Sequence, residues 1–338
     1  MDQFVHLREK LSRCCPSLEL RIQEPMSRHT TFRIGGPAAL MALPRTAGEA
    51  KAAVRAAREL DIRPFFLGNG SNLLVPDEGY RGFVVKLCGL DQTREVTRRF
   101  SRGAWETLDL QGRFVMPGFN DSHLHFIHYV KTKLSVNLFG CTSLAEVQER
   151  LRRGLAGLEF AHGIPGTLGG GVMMNAGAYG GELSQTVTAV TYLDREGEEH
   201  TIPAAGCEFG YRSSIFARHP DWLILKAEFS LPQGDPEEIR EKIQELARRR
   251  GEKQPLEYPS AGSMFKRPEG HFAAALIDQC GLKGLTVGGA QVSEKHAGFV
   301  INRGGATCAD VLALVDQVRE RVLRETGVTL EREVRLLG

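Results

Sequence analysis

Residues 46–87 read TAGEAKAAVRAARELDIRPFFLGNGSNLLVPDEGYRGFVVKL. Thr46 followed three residues later by Glu49 is a capping-box arrangement, and alanines and aliphatics then recur at helical spacing as far as Ile62. That pattern predicts an amphipathic helix over 46–62. PFFLG (64–68) predicts a short buried strand, and the β-branched run in RGFVVKL (81–87) predicts another. Strand, helix and strand in succession imply αβ layers.

Further along, TVTAVTYLDREGEEHTI (186–202) alternates apolar and polar residues on both sides of Arg195, Glu196 and Gly197, which predicts a hairpin. WLILKAEFSL (222–231) predicts a strand. PEEIREKIQELARRRGEK (236–253) carries Ile239, Ile243, Leu246 and Ala247 on one face and predicts a helix ending near Gly251. ADVLALVDQVRERVLRETG (309–327) predicts a last helix, and VTLEREVRLLG (328–338) a terminal strand.

The chain has 338 residues, a length that suits two domains. Its 43 basic and 41 acidic residues leave a formal charge of +2, so nucleic acid is not expected as a partner and any anion site must be local. No window reaches the length of apolar sequence needed to span a bilayer, and the N-terminal stretch lacks the apolar region of a signal peptide. A cytoplasmic protein without a membrane partner is expected. The seven cysteines (14, 15, 88, 141, 207, 280 and 308) form no CxxC pair and no zinc spacing, so reduced thiols are expected.

Glycine, at 38 residues, is clustered. In GNGSNLLV (68–75) two glycines and two small polar residues follow a strand, as in an anion-binding nest, but Leu73 stands where a dinucleotide-binding turn has its third glycine. GIPGTLGGGVMMNAGAYGGE (163–182) is denser still, and so much glycine implies a close backbone approach, which fits a large, flat, phosphate-bearing cofactor with Asn175 and Tyr179 as polar contacts, a glycine-rich surface loop being the plain alternative. Arg212, among Phe209, Tyr211 and Phe216, should be half buried and in need of an anionic partner. Ser263 stands in a Ser-Ala-Gly-Ser turn, where a capping hydroxyl is the plain alternative, and Glu333 in the terminal strand, where solvent exposure is.

Together HTTFRIGGPA (29–38), GNGSNLLV, GLEFAHGIPGTLGGGVMMNAGAYGGE (157–182), CEFGYRSSIF (207–216), KQPLEYPSAGSMFKRP (253–268), LIDQCGLKGLTVGGAQVSEKHAGFVIN (276–302) and LEREVRLLG (330–338) closely resemble the UDP-N-acetylmuramate dehydrogenase family, also called UDP-N-acetylenolpyruvoylglucosamine reductases. The resemblance covers roughly residues 20–90 and 150–338, and the short span between the Arg212 and Ser263 motifs matches the compact subtype. It implies a two-domain α+β flavoprotein. An FAD-binding domain of the vanillyl-alcohol-oxidase-like type would span 1–200, a substrate domain 205–330, and residues 331–338 would return to the active site. It further implies non-covalent FAD, NADPH as co-substrate, and reduction of UDP-N-acetylglucosamine enolpyruvate to UDP-N-acetylmuramate in cell-wall synthesis. The sequence leaves the oligomeric state open, with a monomer as the expectation. By motif match Ser263 would be the proton donor, with Arg212 and Glu333 holding the substrate carboxylate. Arg33, Ile34, Gly35, Gly68, Asn69, Gly70, Ser71, Asn72, Leu73, Gly163, Gly166, Thr167, Gly170, Asn175 and Gly177 would contact FAD, and Tyr211 and Lys253 the substrate.

Residues 91–145 depart from the family, with no strand of the Ala-Gly-Ala-Gly type that contacts the flavin. This segment is similar instead to metal-dependent amidohydrolases around Asp121, His123 and His125. Three such ligands do not make a hydrolytic centre, and no metal is expected. Either residues 108–117 substitute in the sheet, or the protein is an inactive flavin- or sugar-nucleotide-binding relative disabled by 91–145.

Overall fold

A computed structural model of the chain describes residues 3–87, 95–99, 105–109, 156–232 and 234–338. The N-terminal layer is a four-stranded sheet of β1 (Glu19–Pro25), β2 (Pro37–Leu43), β3 (Pro64–Leu67) and β5 (Tyr80–Lys86) in the order β1-β2-β5-β3, and β4 (Leu73–Leu74) lies outside it. β1 runs antiparallel to β2, and β5 runs parallel to both β2 and β3. Helices α1 (Gln3–Cys14) and α2 (Ala47–Arg58) cover one face, where Leu7, Leu11, Ala50, Ala53, Val54 and Ala57 join Leu40, Phe83 and Val85 in one core. The expected capping box is half realised. Thr46 Oγ1 accepts from the Glu49 amide at 3.1 Å, but the Glu49 carboxylate reaches one residue further back, to the Arg45 amide at 2.6 Å.

β6 (Glu95–Arg99) and β7 (Trp105–Asp109) form an antiparallel pair of their own. Leu108 and Asp109, the described part of 108–117, lie in that pair and join no other sheet among the described residues.

After a short helix α3 (Leu168–Met173) and the two-residue strands β8 (Gly177–Ala178) and β9 (Gly181–Glu182), the expected hairpin forms as β10 (Val187–Leu193) and β11 (Glu199–Pro203). β12 (Leu223–Phe229) pairs with the other edge of β10, with the short helix α4 (Ile215–Arg218) before it and the long helix α5 (Pro236–Lys253) after it. This sheet therefore runs straight through residues 200–205, where the sequence suggested a division. Its core of Phe160, Val172, Val190, Cys207, Phe216 and Ile224 is built from both sides.

The last sheet contains β13 (Ser260–Ser263), β14 (Thr286–Val287), β15 (Ala290–Val292) and β16 (Phe299–Asn302) in the order β13-β16-β15-β14, backed by α6 (Ala273–Gln279) and α7 (Cys308–Thr326). Its core takes in Phe32, Ile34 and Leu74 from the N-terminal layer. The terminal strand is much shorter than expected. Only β17 (Arg335–Leu336) is strand, and it pairs in parallel with β4. Residues 331–337 instead thread between the layers: the Lys266 amide donates to Glu331 O, Glu333 N to Met264 O, Arg335 N to Asn72 O and Leu337 N to Leu74 O.

A second tie is Asp77, whose carboxylate accepts from the amides of Cys308 (2.8 Å) and Ala309 (3.1 Å) in the first turn of α7. A carboxylate on two otherwise unpaired helix amides also meets the positive end of the helix dipole. Asp77→Ala should lower stability by about 1–3 kcal/mol, read as a lower urea midpoint at unchanged m-value. An unshifted midpoint would show that this tie holds nothing.

Candidate active site

Glu333 is brought to the centre by main-chain bonds on both sides. Its N–H donates to Met264 O at 2.9 Å, and its carbonyl accepts from the Asn72 side-chain amide at 3.2 Å. Its side chain is 16% exposed, so the solvent-facing position expected for an alternating strand is not what forms. The Arg212 Nε donates to Glu333 Oε1 at 3.2 Å, and Arg212 Nη2 donates to Gly177 O at 3.0 Å. Arg212 is half buried as the sequence suggested, and the anionic partner it needed is this carboxylate. It stands in a tight turn closed by reciprocal main-chain bonds between Gly210 and Ser213, with its own φ at +52°. That left-handed backbone costs an arginine about 1–3 kcal/mol, and the turn and the two side-chain bonds hold it.

Ser263 ends β13, one residue before the Met264 carbonyl that Glu333 grips, and its side chain is exposed. Ser263, Glu333 and Arg212 thus gather from three separate parts of the chain. Burial raises the Glu333 pKa, and the Arg212 guanidinium and Lys266 oppose that rise. Tyr211, mostly exposed, lines a cavity of about 590 Å³ together with Lys266, Arg267, His271 and Glu331. A second cavity, about 610 Å³ beneath α1, touches none of these residues.

The two glycine-rich segments flank this centre. In 68–73, Asn69 and Ser71 are buried, Asn72 holds the C-terminal tail and Leu73 opens β4. Gly70 is glycine for a packing reason, since a Cβ there would stand 2.6 Å from His29 O. The same holds upstream, where a Cβ on Gly35 would meet the Val75 Cβ at 2.5 Å, while Ile34 is buried and Arg33 exposed with φ +56°. In 163–182, Gly163 and Gly166 have positive φ, and Gly170 lies in α3. Thr167 is buried with a hydroxyl that has no hydrogen-bond partner among the described residues. The Asn175 amide is spent on structure: Nδ2 donates to Gly210 O (3.1 Å) and Oδ1 accepts from Ser184 N (2.9 Å). That places Asn175 behind the Arg212 turn, with its second N–H not used by either bond. Lys253, on the last turn of α5, is exposed.

Arg250 was not singled out by its sequence context of three arginines, yet it is 7% exposed and lies against Gly163. The signal that could have found it is position. It falls on the same face of α5 as Ile239, Ile243 and Leu246.

The model for the C-terminal domain of UDP-N-acetylenolpyruvoylglucosamine reductase matches residues 254–337. A UDP-N-acetylenolpyruvoylglucosamine reductase of Clostridium botulinum (strain Hall) is 41% identical over 317 residues, covering 94% of this chain and 92% of its own. That of Caldanaerobacter subterraneus is 41% identical over 330 residues, or 98% and 97% of the two chains. The chain belongs to the UDP-N-acetylenolpyruvoylglucosamine reductase family. The solved reductase from Thermus caldophilus shares the fold, with a TM-score of 0.67 at 33% identity over 95% of this chain and 99% of that one. An amidohydrolase family model also matches residues 106–172. The described end of that match, 156–172, contributes Phe160, Ala161 and Val172 to the same core as the reductase hairpin. Asp121, His123 and His125 lie outside the described residues. Among the described residues no group of three or more His, Cys, Asp or Glu could hold a metal.

The raised pKa of Glu333 has a definite consequence for the stability of this reductase. A carboxyl that binds its proton more tightly folded than unfolded contributes stability that is present at low pH and lost as pH rises through the folded value. The unfolding free energy of the wild type should therefore gain on that of Glu333→Gln as pH falls through the mildly acidic range. Parallel urea titrations at a series of pH values check this, and a constant difference would mean that Glu333 is not shifted.

Proposed function

We propose that Arg212, Glu333 and Ser263 are the working side chains of this reductase, with the substrate carboxylate at the Arg212–Glu333 pair and Ser263 as proton donor. The chain is an FAD-dependent oxidoreductase that reduces UDP-N-acetylglucosamine enolpyruvate to UDP-N-acetylmuramate in peptidoglycan synthesis. The cofactor's place is supported by the molecule itself. Beside the glycine-rich segment stand a buried Thr167 hydroxyl and buried Arg250 N–H groups without hydrogen-bond partners among the described residues, which is what a bound polar cofactor would satisfy. FAD, reduced by NADPH, supplies the hydride when bound.

The observation that carries the reading is the partly buried Arg212–Glu333 pair next to the end of the Ser263 strand. Across the C=C bond of an enolpyruvyl ether, hydride adds to the methylene carbon and a proton to the carbon bearing the ether oxygen and the carboxylate. The π bond breaks and two C–H bonds form. Negative charge develops on the second carbon and spreads into the carboxylate. Arg212 is fixed at two of its nitrogens, so its guanidinium meets that growing charge without reorganising. Glu333, its pKa raised by burial, can hold a proton beside the carboxylate instead of repelling it. Ser263 Oγ, exposed in the free protein, would give up its proton to the carbanion, a base strong enough to take it from a hydroxyl once bound substrate covers the serine.

Tyr211 and the basic residues of the neighbouring cavity would take the sugar nucleotide, with Lys253 nearest its diphosphate. Residues 33–35, 68–73 and 163–177 would line the cofactor. We place the division between cofactor and substrate domains near residue 254, because the sheet through 187–229 is continuous and the last sheet begins at β13. Among the described residues no helix is long and apolar enough to cross a membrane. A monomer working in the cytoplasm belongs to the same proposal, since the substrate is a sugar nucleotide.

Ser263→Ala tests the assignment. Reduction of the flavin by NADPH should stay within a few-fold of wild type, while its reoxidation by the enolpyruvyl substrate should slow by about 10²–10⁴ or more. Stopped-flow absorbance of the two half-reactions separates them. Equal slowing of both would remove Ser263 from the role of proton donor.

A further inference from the structure

The most conspicuous unpaid charge in the described molecule is Arg250. It lies on the inner face of α5, 7% exposed, with Nε and Nη2 buried and without a hydrogen-bond partner, and among the described residues no carboxylate lies within ion-pair distance. Its neighbours are the Tyr179 ring, whose centroid is 5.5 Å from the guanidinium carbon, and the backbone at Gly163. Stacking on an aromatic face does not satisfy a guanidinium, because its N–H donors point outward in its own plane. A buried guanidinium with in-plane donors left over is costly, and natural proteins meet that cost with an acceptor, preferably an anionic one. Burial lowers its pKa, and among the described residues the effect that opposes the fall comes from Tyr179 and not from a carboxylate.

The local backbone is shaped around this side chain. Gly163 has φ +72°, and a Cβ there would press on Arg250 Cδ at 3.0 Å and Nε at 3.1 Å, so the glycine lets the guanidinium lie against the segment. Four residues on, the Thr167 hydroxyl is also buried and has no hydrogen-bond partner among the described residues. On the other side, Tyr179 belongs to the β8–β9 turn that begins at Gly177, whose carbonyl takes the Arg212 guanidinium. Arg250 therefore faces the same glycine-rich segment as the catalytic arginine.

We propose that Arg250 is a cofactor-binding residue, its guanidinium donating to an anionic oxygen of FAD. The assignment rests on the reading of 163–177 as the cofactor's bed. Two parts of FAD carry that chemistry: the diphosphate, and the carbonyl edge of the isoalloxazine ring, which gains negative charge on reduction. An Arg is suited to either by its planar fork, whereas a Lys would supply only a point charge.

The test uses full-length wild type, Arg250→Met and Arg250→Lys. Each is first shown to be folded by circular dichroism and a cooperative thermal transition, and the Lys variant keeps the test alive if the Met variant does not fold. FAD and riboflavin affinities of the apoproteins are measured by flavin fluorescence, and midpoint potentials by dye-equilibrated titration. At least a tenfold loss of FAD affinity with riboflavin affinity unchanged supports the proposal and assigns the diphosphate. A lowered midpoint potential with little change in affinity for oxidised FAD supports it and assigns the ring edge. In either case Arg250→Lys should recover only part of the loss. If both quantities match wild type, Arg250 does not touch the cofactor, and a rise confined to the KM of the enolpyruvyl substrate would overturn the proposal in favour of a substrate contact. Failure of wild-type apoprotein to bind FAD at all would sink the cofactor reading itself, and is visible before any variant is compared.

Discussion

Four main-chain hydrogen bonds made by residues 331–337 hold the centre of this molecule together. They run to Met264 and Lys266 on one side and to Asn72 and Leu74 on the other, so the last residues of the chain link the layer built from its first quarter to the sheet built from its last. Glu333 sits at the midpoint of that seam, with its carboxylate on the Arg212 guanidinium. Without the seam there would be no reason for a carboxylate from one end, a serine from the last sheet and an arginine from a turn at 210–213 to share a site.

The electrostatics follow from that placement. The seam is deep enough to raise the pKa of Glu333, yet close enough to Arg212 and Lys266 for their positive charge to work against the rise. In the role proposed for it, a carboxyl balanced between the two would suit a substrate that is itself a carboxylate and becomes more negative during reaction. Arg212, strained at φ +52° and fixed at two nitrogens, is the complementary half: rigid, already oriented and already partly desolvated.

The glycines divide into two kinds. Those at 35, 36, 70, 79, 177 and 181 are required by the protein's own packing, because a Cβ at each would meet neighbouring backbone or a core side chain closer than 3 Å. Gly180, Gly210 and Gly262 have open space where a side chain would be, and lie around the Arg212 and Ser263 elements. Glycine density therefore has a mixed reason. Part of the close approach it implied is made by the chain to itself.

Periodicity and turn chemistry were enough for the local elements: the β10–β11 hairpin, α5, and α7 with its Gly327 terminus lie where the residue pattern puts them, and α2 keeps its Thr46 cap but stops at Arg58, short of the expected Ile62. Motif spacing was enough to identify the family, and with it Arg212, Ser263 and Glu333 as residues to examine. What periodicity could not say is which strands share a sheet across 200–205, or that VTLEREVRLLG would be a threaded tail rather than a strand. Both depend on partners far away in the chain: β12 is drawn to the edge of β10, and residues 331–337 find their hydrogen bonds at 264–266 and 72–74. For the same reason Arg250 looked like one arginine among three. A helix face shows that a residue turns inward, but whether a buried charge has a counter-charge is decided only by what the rest of the chain brings against it.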